Sequence, residues 1–202
     1  MKAVRGRGFA IGFPAIVQRL LVIALAGIGD ALMSTPLIHD LRLNFPEAEI
    51  EALVLWPGAA ALLEGNPHLT ALHQHQFLKS SRLSSLRFVL GLRRRHYDVS
   101  LNAHPQGRRG YRLIARLIGA RRRLSHSYEN EGWMDPHLVT GSIPQDYSVH
   151  AAENNARFLP LIGARRLLPR PAYEIYLSSA ETTWAADYAA RNGLSGVRWL
   201  GI

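Results

Sequence analysis

Apolar and polar positions fall into blocks along this chain. Residues 20–25 (Leu-Leu-Val-Ile-Ala-Leu) form an unbroken apolar run. A run that short and that continuous reads as a β-strand buried on both faces. Residues 30–44 switch to helical spacing, with apolar side chains at 32, 33, 37, 38 and 41. Pro36 follows Ser34 and Thr35, which places it in the first helical turn with one of the hydroxyls as cap. Phe45-Pro46 ends that helix. The alternation then repeats. Strands are expected at 49–55, 69–75, 97–103 and 121–127, and helices at 58–64, 82–95, 108–118, 149–162 and 179–192. Gly65-Asn66-Pro67 is a turn. Residues 128–147, rich in Gly, Pro and Asp, read as loop, and 172–178 as an extended segment. Strands and helices alternating over short links predict an α/β fold, a Rossmann-like parallel sheet with helices on both faces. Ligands of such sheets bind beyond the carboxyl ends of the strands. The turn at 27–30 lies at such an end.

Composition narrows the class. The 202 residues are 48% hydrophobic, enough for one domain with a real core or one domain and the start of another, and too apolar for a disordered chain. With no cysteine, disulfides and thiolate sites are excluded. The net charge of +9 comes almost wholly from arginine, since Lys2 and Lys79 are the only lysines. Arginine forks suit carboxylates and phosphates, so the balance points to an anionic partner. No apolar run reaches the roughly 20 residues that span a bilayer. Lys2, Arg5 and Arg7 ahead of the apolar run, and Ala24-Leu25-Ala26-Gly27 after it, mimic a secretory signal. Arg19 and Asp30 bound the run closely, however, and it serves better as a buried strand. Residues 1–18 read as a leader.

The turn Gly27-Ile28-Gly29-Asp30 carries the candidate chemistry. A dinucleotide fingerprint would need a third glycine where Leu32 stands, and no Gly-Lys-Ser/Thr completes a P-loop. A nucleotide phosphate is therefore not expected here. Two roles suit Asp30. It can cap the helix that follows. Alternatively, with glycines admitting a second molecule to the backbone, it can take a proton from a hydroxyl as a general base.

Several stretches, taken in order, carry a resemblance: "LLVIALAGIGDALMSTPLIHDLRLNFPEAEI", "GNPHLTAL", "YDVSLNAHPQGRRGYRLIARLIGARRRLSHS" and "HAAENNARFLPLIGA". Together they resemble the lipopolysaccharide heptosyltransferases of glycosyltransferase family nine, over residues 20–202. The resemblance implies the two-domain GT-B architecture. Residues 19–194 would be the N-terminal acceptor-binding domain and 195–202 the first strand of a donor-binding domain that otherwise lies outside this chain. It implies metal-independent, inverting transfer of a heptose from a nucleotide sugar, ADP-heptose, to the lipopolysaccharide inner core, and no cofactor of the chain's own. Asp30 would be the base. Gly27, Gly29, Gln106 and Gly107 would line the acceptor side. Lys79, Arg82, Arg108 and Arg109, at strand carboxyl ends, would meet an anionic lipid sugar. Two positions depart from the family pattern. Asn102-Ala103-His104-Pro105-Gln106-Gly107 replaces the frequent Asp-x-Gln-Gly, and Gly110 stands where a basic residue is common.

The implied partners are a lipid-linked oligosaccharide and the inner face of the cytoplasmic membrane; no nucleic acid and no metal are expected. Without the donor domain, efficient catalysis by this chain alone is not expected. The alternative is a truncated, non-catalytic α/β module that binds an anionic glycolipid or a partner protein. Elsewhere, Arg93-Arg94-Arg95 and Arg121-Arg122-Arg123 read as solvated charge at helix ends, with phosphate binding as the other option. His73 and His75 share one strand face with no third ligand nearby in sequence. Trp56, Trp133 and Trp184 read as packing or surface aromatics.

Overall fold

Six parallel strands form one sheet in the computed structural model, which describes residues 17–103, 109–129 and 131–198. In chain order the elements begin β1 (Arg19–Ala24), α1 (Ile28–Leu32), α2 (Thr35–Asn44), β2 (Glu49–Val54), α3 (Pro57–Leu63) and β3 (Ala71–Gln74). There follow α4 (Arg82–Arg93), β4 (Val99–Asn102), α5 (Arg109–Ile118), β5 (Arg122–Ser127), α6 (Asp135–Leu138) and β6 (Gly141–Pro144). After α7 (Ala151–Ala156), a single 3-10 turn (Leu159–Ile162) leads to an extended segment and α8 (Ser179–Arg191). The strand order is β3-β2-β1-β4-β5-β6. The chain therefore works outward from β1 to one edge, returns, and works outward from β4 to the other. The reversal between β1 and β4 is the switch point of the sheet, where a crevice opens beyond the strand ends.

The continuous apolar run of β1 has its reason in two cores. Leu20, Val22 and Ala24 point to one face of the sheet and join Leu37, Ile38 and Leu41 of α2 with Phe158 and Leu159. Leu21 and Ile23 point to the other and join Val89 and Leu92 of α4 with Ala115 and Ile118 of α5. A strand with cores on both sides has no polar side to show. Truncating any of these leucines to alanine is worth about 2–5 kcal/mol.

Several boundaries differ from the sequence reading. The single helix expected at 30–44 is two. The Ser34 and Thr35 hydroxyls do not cap α2; they donate back to the carbonyls of Ala31 (2.7 Å) and Leu32 (2.8 Å) and close the end of α1. Pro36, which has no N–H, fits the first turn of α2 without needing a cap there. The loop expected at 128–147 contains α6 and β6. β6 is an edge strand whose one apolar side chain is Ile143, and pairing with β5 makes it a strand where its composition gives no strand signal. The helix expected at 149–162 stops at Ala156 and tightens into the 3-10 turn, which ends at Gly163 with φ +75°. The segment 172–178 is extended but joins no ladder of the sheet among the described residues. Val197 and Arg198 are not in a strand, and the rest of the strand expected there lies outside the described residues. Most of the expected leader also lies outside them, but Gln18 already belongs to the sheet margin. Its N–H donates to Asp98 Oδ2 at 2.9 Å, and its carbonyl accepts from Glu49 at 2.8 Å.

A carboxylate is buried on β2, the strand beside the edge strand β3. Glu51 of β2 is fully buried. Its Oε1 accepts from Arg95 Nε (2.8 Å) and Nη2 (2.5 Å); its Oε2 accepts from the Tyr97 hydroxyl (2.5 Å) and lies 2.6 Å from His73 Nε2. Burial pushes the Glu51 carboxyl up, but the hydrogen bonds from His73, Tyr97 and Arg95 outweigh it and hold the group below its ordinary value. Burial and the Glu51 bond push the Tyr97 phenol well up. Arg95 is therefore part of the fold rather than solvated charge. Arg122 and Arg123 likewise donate to the carbonyls of Leu161 (2.5 Å) and Ala120 (2.7 Å). His73 and His75 also have structural partners, since His75 stacks on Phe88 with ring centroids 4.5 Å apart.

Candidate functional site

The strand order selects two loops, the one leaving β1 and the one leaving β4. The first is the Gly27–Asp30 turn. Gly27 is extended (φ −75°, ψ 177°) and is the N-cap of α1; Asp30 is the third helical residue. Its Oδ2 accepts from the Gly27 N–H at 2.8 Å. Among the described residues that is its one hydrogen bond, and it has no ion pair. Asp30 is half-buried and Gly27, Ile28 and Gly29 are exposed, and the backbone orients the carboxylate through Oδ2. The capping role is seen in Oδ2, and Oδ1 has no hydrogen bond among the described residues.

The glycines divide the work. A Cβ at Gly27 would stand 3.3 Å from Asp30 Oδ2, tight enough to press on the carboxylate. A Cβ at Gly29 would meet nothing within 4 Å. Gly27 permits the cap, and Gly29 leaves the approach open.

The second loop starts at Asn102, the last residue of β4, paired in register with Ile23 of β1. Asn102 is buried, and its side-chain amide has no hydrogen-bond partner among the described residues. Buried amides normally have partners, so Asn102 brings an unused donor and acceptor to the switch point. Gln106, Gly107 and Arg108 lie outside the described residues. Arg109 opens α5 and is exposed, but its Nε donates to Asp135 Oδ1 at 3.2 Å, and Asp135 also accepts from the Gly132 N–H at 2.6 Å. Part of the Arg109 guanidinium is therefore already committed. Lys79 and Arg82 lie beyond the carboxyl end of β3, at the edge of the sheet and two strands from β1; neither has an ion pair among the described residues.

Other residues shape this end of the sheet that the sequence reading did not select. Arg112, buried on α5, donates to the His126 carbonyl (2.5 Å) and to Glu131, whose Oε1 also accepts from the Tyr128 N–H at 2.8 Å. This ties α5 to the loop after β5. Asn155 of α7 donates to the Met33 carbonyl at 3.2 Å and braces the junction of α1 and α2. The one sequence signal for Arg112 was an arginine on the apolar face of an amphipathic helix.

No protein-family model matches the chain. Lipopolysaccharide heptosyltransferase 3 of Escherichia coli K12 is 31% identical over 142 residues, which are 67% of this chain and 40% of that protein. A second Escherichia coli heptosyltransferase 3 is 29% identical over 106 residues, 50% of this chain and 30% of that protein. A glycosyl transferase family 9 structure from Veillonella parvula superposes with a TM-score of 0.72 at 19% identity, covering 90% of this chain and 51% of that one. The Escherichia coli heptosyltransferase WaaC with ADP superposes with a TM-score of 0.62 at 17% identity, covering 78% and 51%. The chain thus spans about half the length of these structures and less of the two sequence relatives. In sequence it is heptosyltransferase-like, and its fold is that of one half of a family 9 glycosyltransferase.

Proposed function

We propose that this chain is the acceptor-binding half of an inverting, metal-independent glycosyltransferase that moves a heptose from ADP-heptose to the inner core of lipopolysaccharide. Residues 19–194 form the acceptor domain, and 195–202 begin the donor domain. Asp30 is the general base. An acceptor hydroxyl enters beside Gly29 and gives its proton to Asp30 as its oxygen attacks the anomeric carbon. The new bond forms on the face opposite the departing nucleotide diphosphate, which inverts that centre. The diphosphate stays with the other domain, so the turn holds a carboxylate where a phosphate-binding turn would hold none. The observation that carries this reading is the placement of Asp30: beyond β1 at the switch point, with one oxygen tied to Gly27 N–H and the other without a hydrogen bond among the described residues, in a chain similar to heptosyltransferases.

Arg109, Lys79 and Arg82 supply positive charge for an anionic acceptor, and Asn102 supplies hydrogen bonds. The acceptor is lipid-linked, and α4 offers a face for the inner surface of the cytoplasmic membrane. Leu83, Leu86 and Leu90 recur along it at i, i+3 and i+7, all exposed, with Arg87 and Arg94 among them. That combination suits shallow insertion into anionic lipid. Separately, no described helix is long and apolar enough to cross a membrane.

The deciding experiment is heptose transfer by the longest continuous polypeptide that contains this chain, with Asp30 and with Asp30→Asn. Activity lost with acceptor affinity retained supports the base. Equal activity of both removes it. Membrane docking is tested apart from chemistry. Changing Leu83, Leu86 and Leu90 to serine is expected to abolish flotation with anionic vesicles, and retention of flotation removes that part of the reading.

A further inference from the structure

Residues 165–178 run along α2 from its carboxyl end to its start, held at successive positions. Asn44 accepts from the Arg165 N–H at 3.0 Å. Buried Asp40 accepts from the N–H groups of Leu167 (2.8 Å) and Leu168 (3.0 Å). Thr35 Oγ1 accepts from the Glu174 N–H at 3.1 Å. The last attachment is different in kind. The Glu174 carboxylate lies between two histidines, with Oε1 2.6 Å from His39 Nδ1 and Oε2 3.5 Å from His68 Nε2. One ligand atom from each of the three residues lies within 4.8 Å of the other two.

We propose that His39, His68 and Glu174 bind one divalent transition-metal ion of the zinc class, which fastens this segment onto α2 and the loop before β3. The site is separate from Asp30 and structural in purpose, so it does not depend on the transferase reading.

Four features carry it. First, the donor set is two imidazoles and one carboxylate, a set zinc accepts with ligand distances of about 2.0–2.2 Å. Tetrahedral donors at that range stand about 3.3 Å apart, so side-chain movements of about an ångström convert the observed spacing into a ligand shell. Second, the two imidazoles are stacked face to face, with ring centroids 3.9 Å apart and planes 15° apart. That stacking brings one ring nitrogen of each imidazole to the same carboxylate. Third, the carboxylate is oriented from behind. The Tyr176 hydroxyl donates to Glu174 Oε2 at 2.9 Å and lies 3.1 Å from His68 Nε2. Such supporting bonds are a usual part of metal sites. Fourth, the backbone is fixed. The Asn66 carboxamide oxygen accepts from the His68 N–H at 2.9 Å, and Arg42 donates to the His68 carbonyl at 3.3 Å (Nε) and 3.2 Å (Nη2). The Arg42 charge opposes a cation, and the Glu174 charge offsets it.

The test uses tag-free protein, loaded with zinc, dialysed against metal-free buffer and assayed for metal by mass spectrometry, with cobalt loading read by its visible spectrum. About one ion per chain is expected, together with a tetrahedral cobalt spectrum and a zinc-dependent rise in melting temperature. His39→Gln, His68→Gln and Glu174→Gln should each lose all three responses. His137→Gln, an exposed histidine of α6, should keep them. Tyr176→Phe should weaken binding about 10-fold, the lower end of the cost of losing a supporting bond. Circular dichroism confirms that each variant folds, and Glu174→Gln, which keeps the side chain's shape and one acceptor oxygen, guards against loss by unfolding. Failure of the folded wild-type chain to retain zinc, or retention unchanged in the three ligand variants, overturns the site and leaves a hydrogen-bonded clasp.

Discussion

Glu51 of β2 and Asp30, just beyond the end of the neighbouring β1, are both carboxylates, and they are opposites. Glu51 is fully buried, and its two oxygens are engaged by three side chains, Arg95, Tyr97 and His73. Asp30 is half-buried, with one oxygen held by a single N–H and the other unengaged among the described residues. A buried charge must be surrounded by partners or it unfolds the protein. A reacting group must be oriented and yet keep a valence free. The number of partners therefore separates the carboxylate that holds the fold from the one available for chemistry.

The sharpest way to break the comparison is to change each carboxylate and read both activity and stability. Asp30→Asn should lower transfer by about 10²–10⁴-fold, the range for losing a general base, while leaving the unfolding midpoint nearly unchanged. Glu51→Ala should do the reverse. It strands the Tyr97 hydroxyl and the Arg95 guanidinium, and should cost about 3 kcal/mol in urea unfolding, the low end for a broken buried pair because Arg95 can turn toward water. If Asp30→Asn unfolds the chain, or Glu51→Ala removes activity without loss of stability, the distinction fails.

Acid sharpens it further. The Glu51 carboxyl is held below its ordinary 4.5 in the folded chain, so the unfolded state binds the proton more readily. Its stabilisation is complete above that value and disappears as pH falls through the folded one. Urea midpoints should fall steeply below pH 4.5, and Glu51→Gln should flatten that slope. Gly27→Ala is the smaller probe. Its Cβ would stand 3.3 Å from Asp30 Oδ2, so the carboxylate must shift by a few tenths of an ångström. Transfer should fall about threefold to tenfold, since a 1 Å misplacement costs about 10²-fold. The smallest effect is on the cap itself: Asp30→Ala should lower stability by about 0.5–1 kcal/mol, as loss of a capping side chain does.

What could be read in advance depended on how far apart the determining residues lie. β1 was legible because burial on both faces leaves a short, unbroken apolar run bounded by Arg19 and Asp30. The turn after it was legible because glycine and aspartate have few local uses. The break between α1 and α2 was only half legible. Ser34, Thr35 and Pro36 marked the place, but whether the hydroxyls bond forward or backward is settled by how the two helices pack. β6 was illegible, since its strand character comes from the neighbour it pairs with. Glu51 was read as part of a strand, while its partners at 73, 95 and 97 become neighbours through the β2–β3 pairing and the chain leading into β4.

The amino-acid order alone determined the alternation of strands and helices, the parallel sheet and the carboxylate at the end of the first strand. Each follows from periodicity or turn chemistry within a few residues. Tertiary structure alone decided the strand order that makes the β1–β4 boundary the switch point, the lack of a side-chain partner for Asn102 among the described residues, and the meeting of His39 and His68 with Glu174. Those depend on contacts between residues as many as 135 positions apart. Side-chain patterns report which face is buried, and only the folded chain determines what it is buried against.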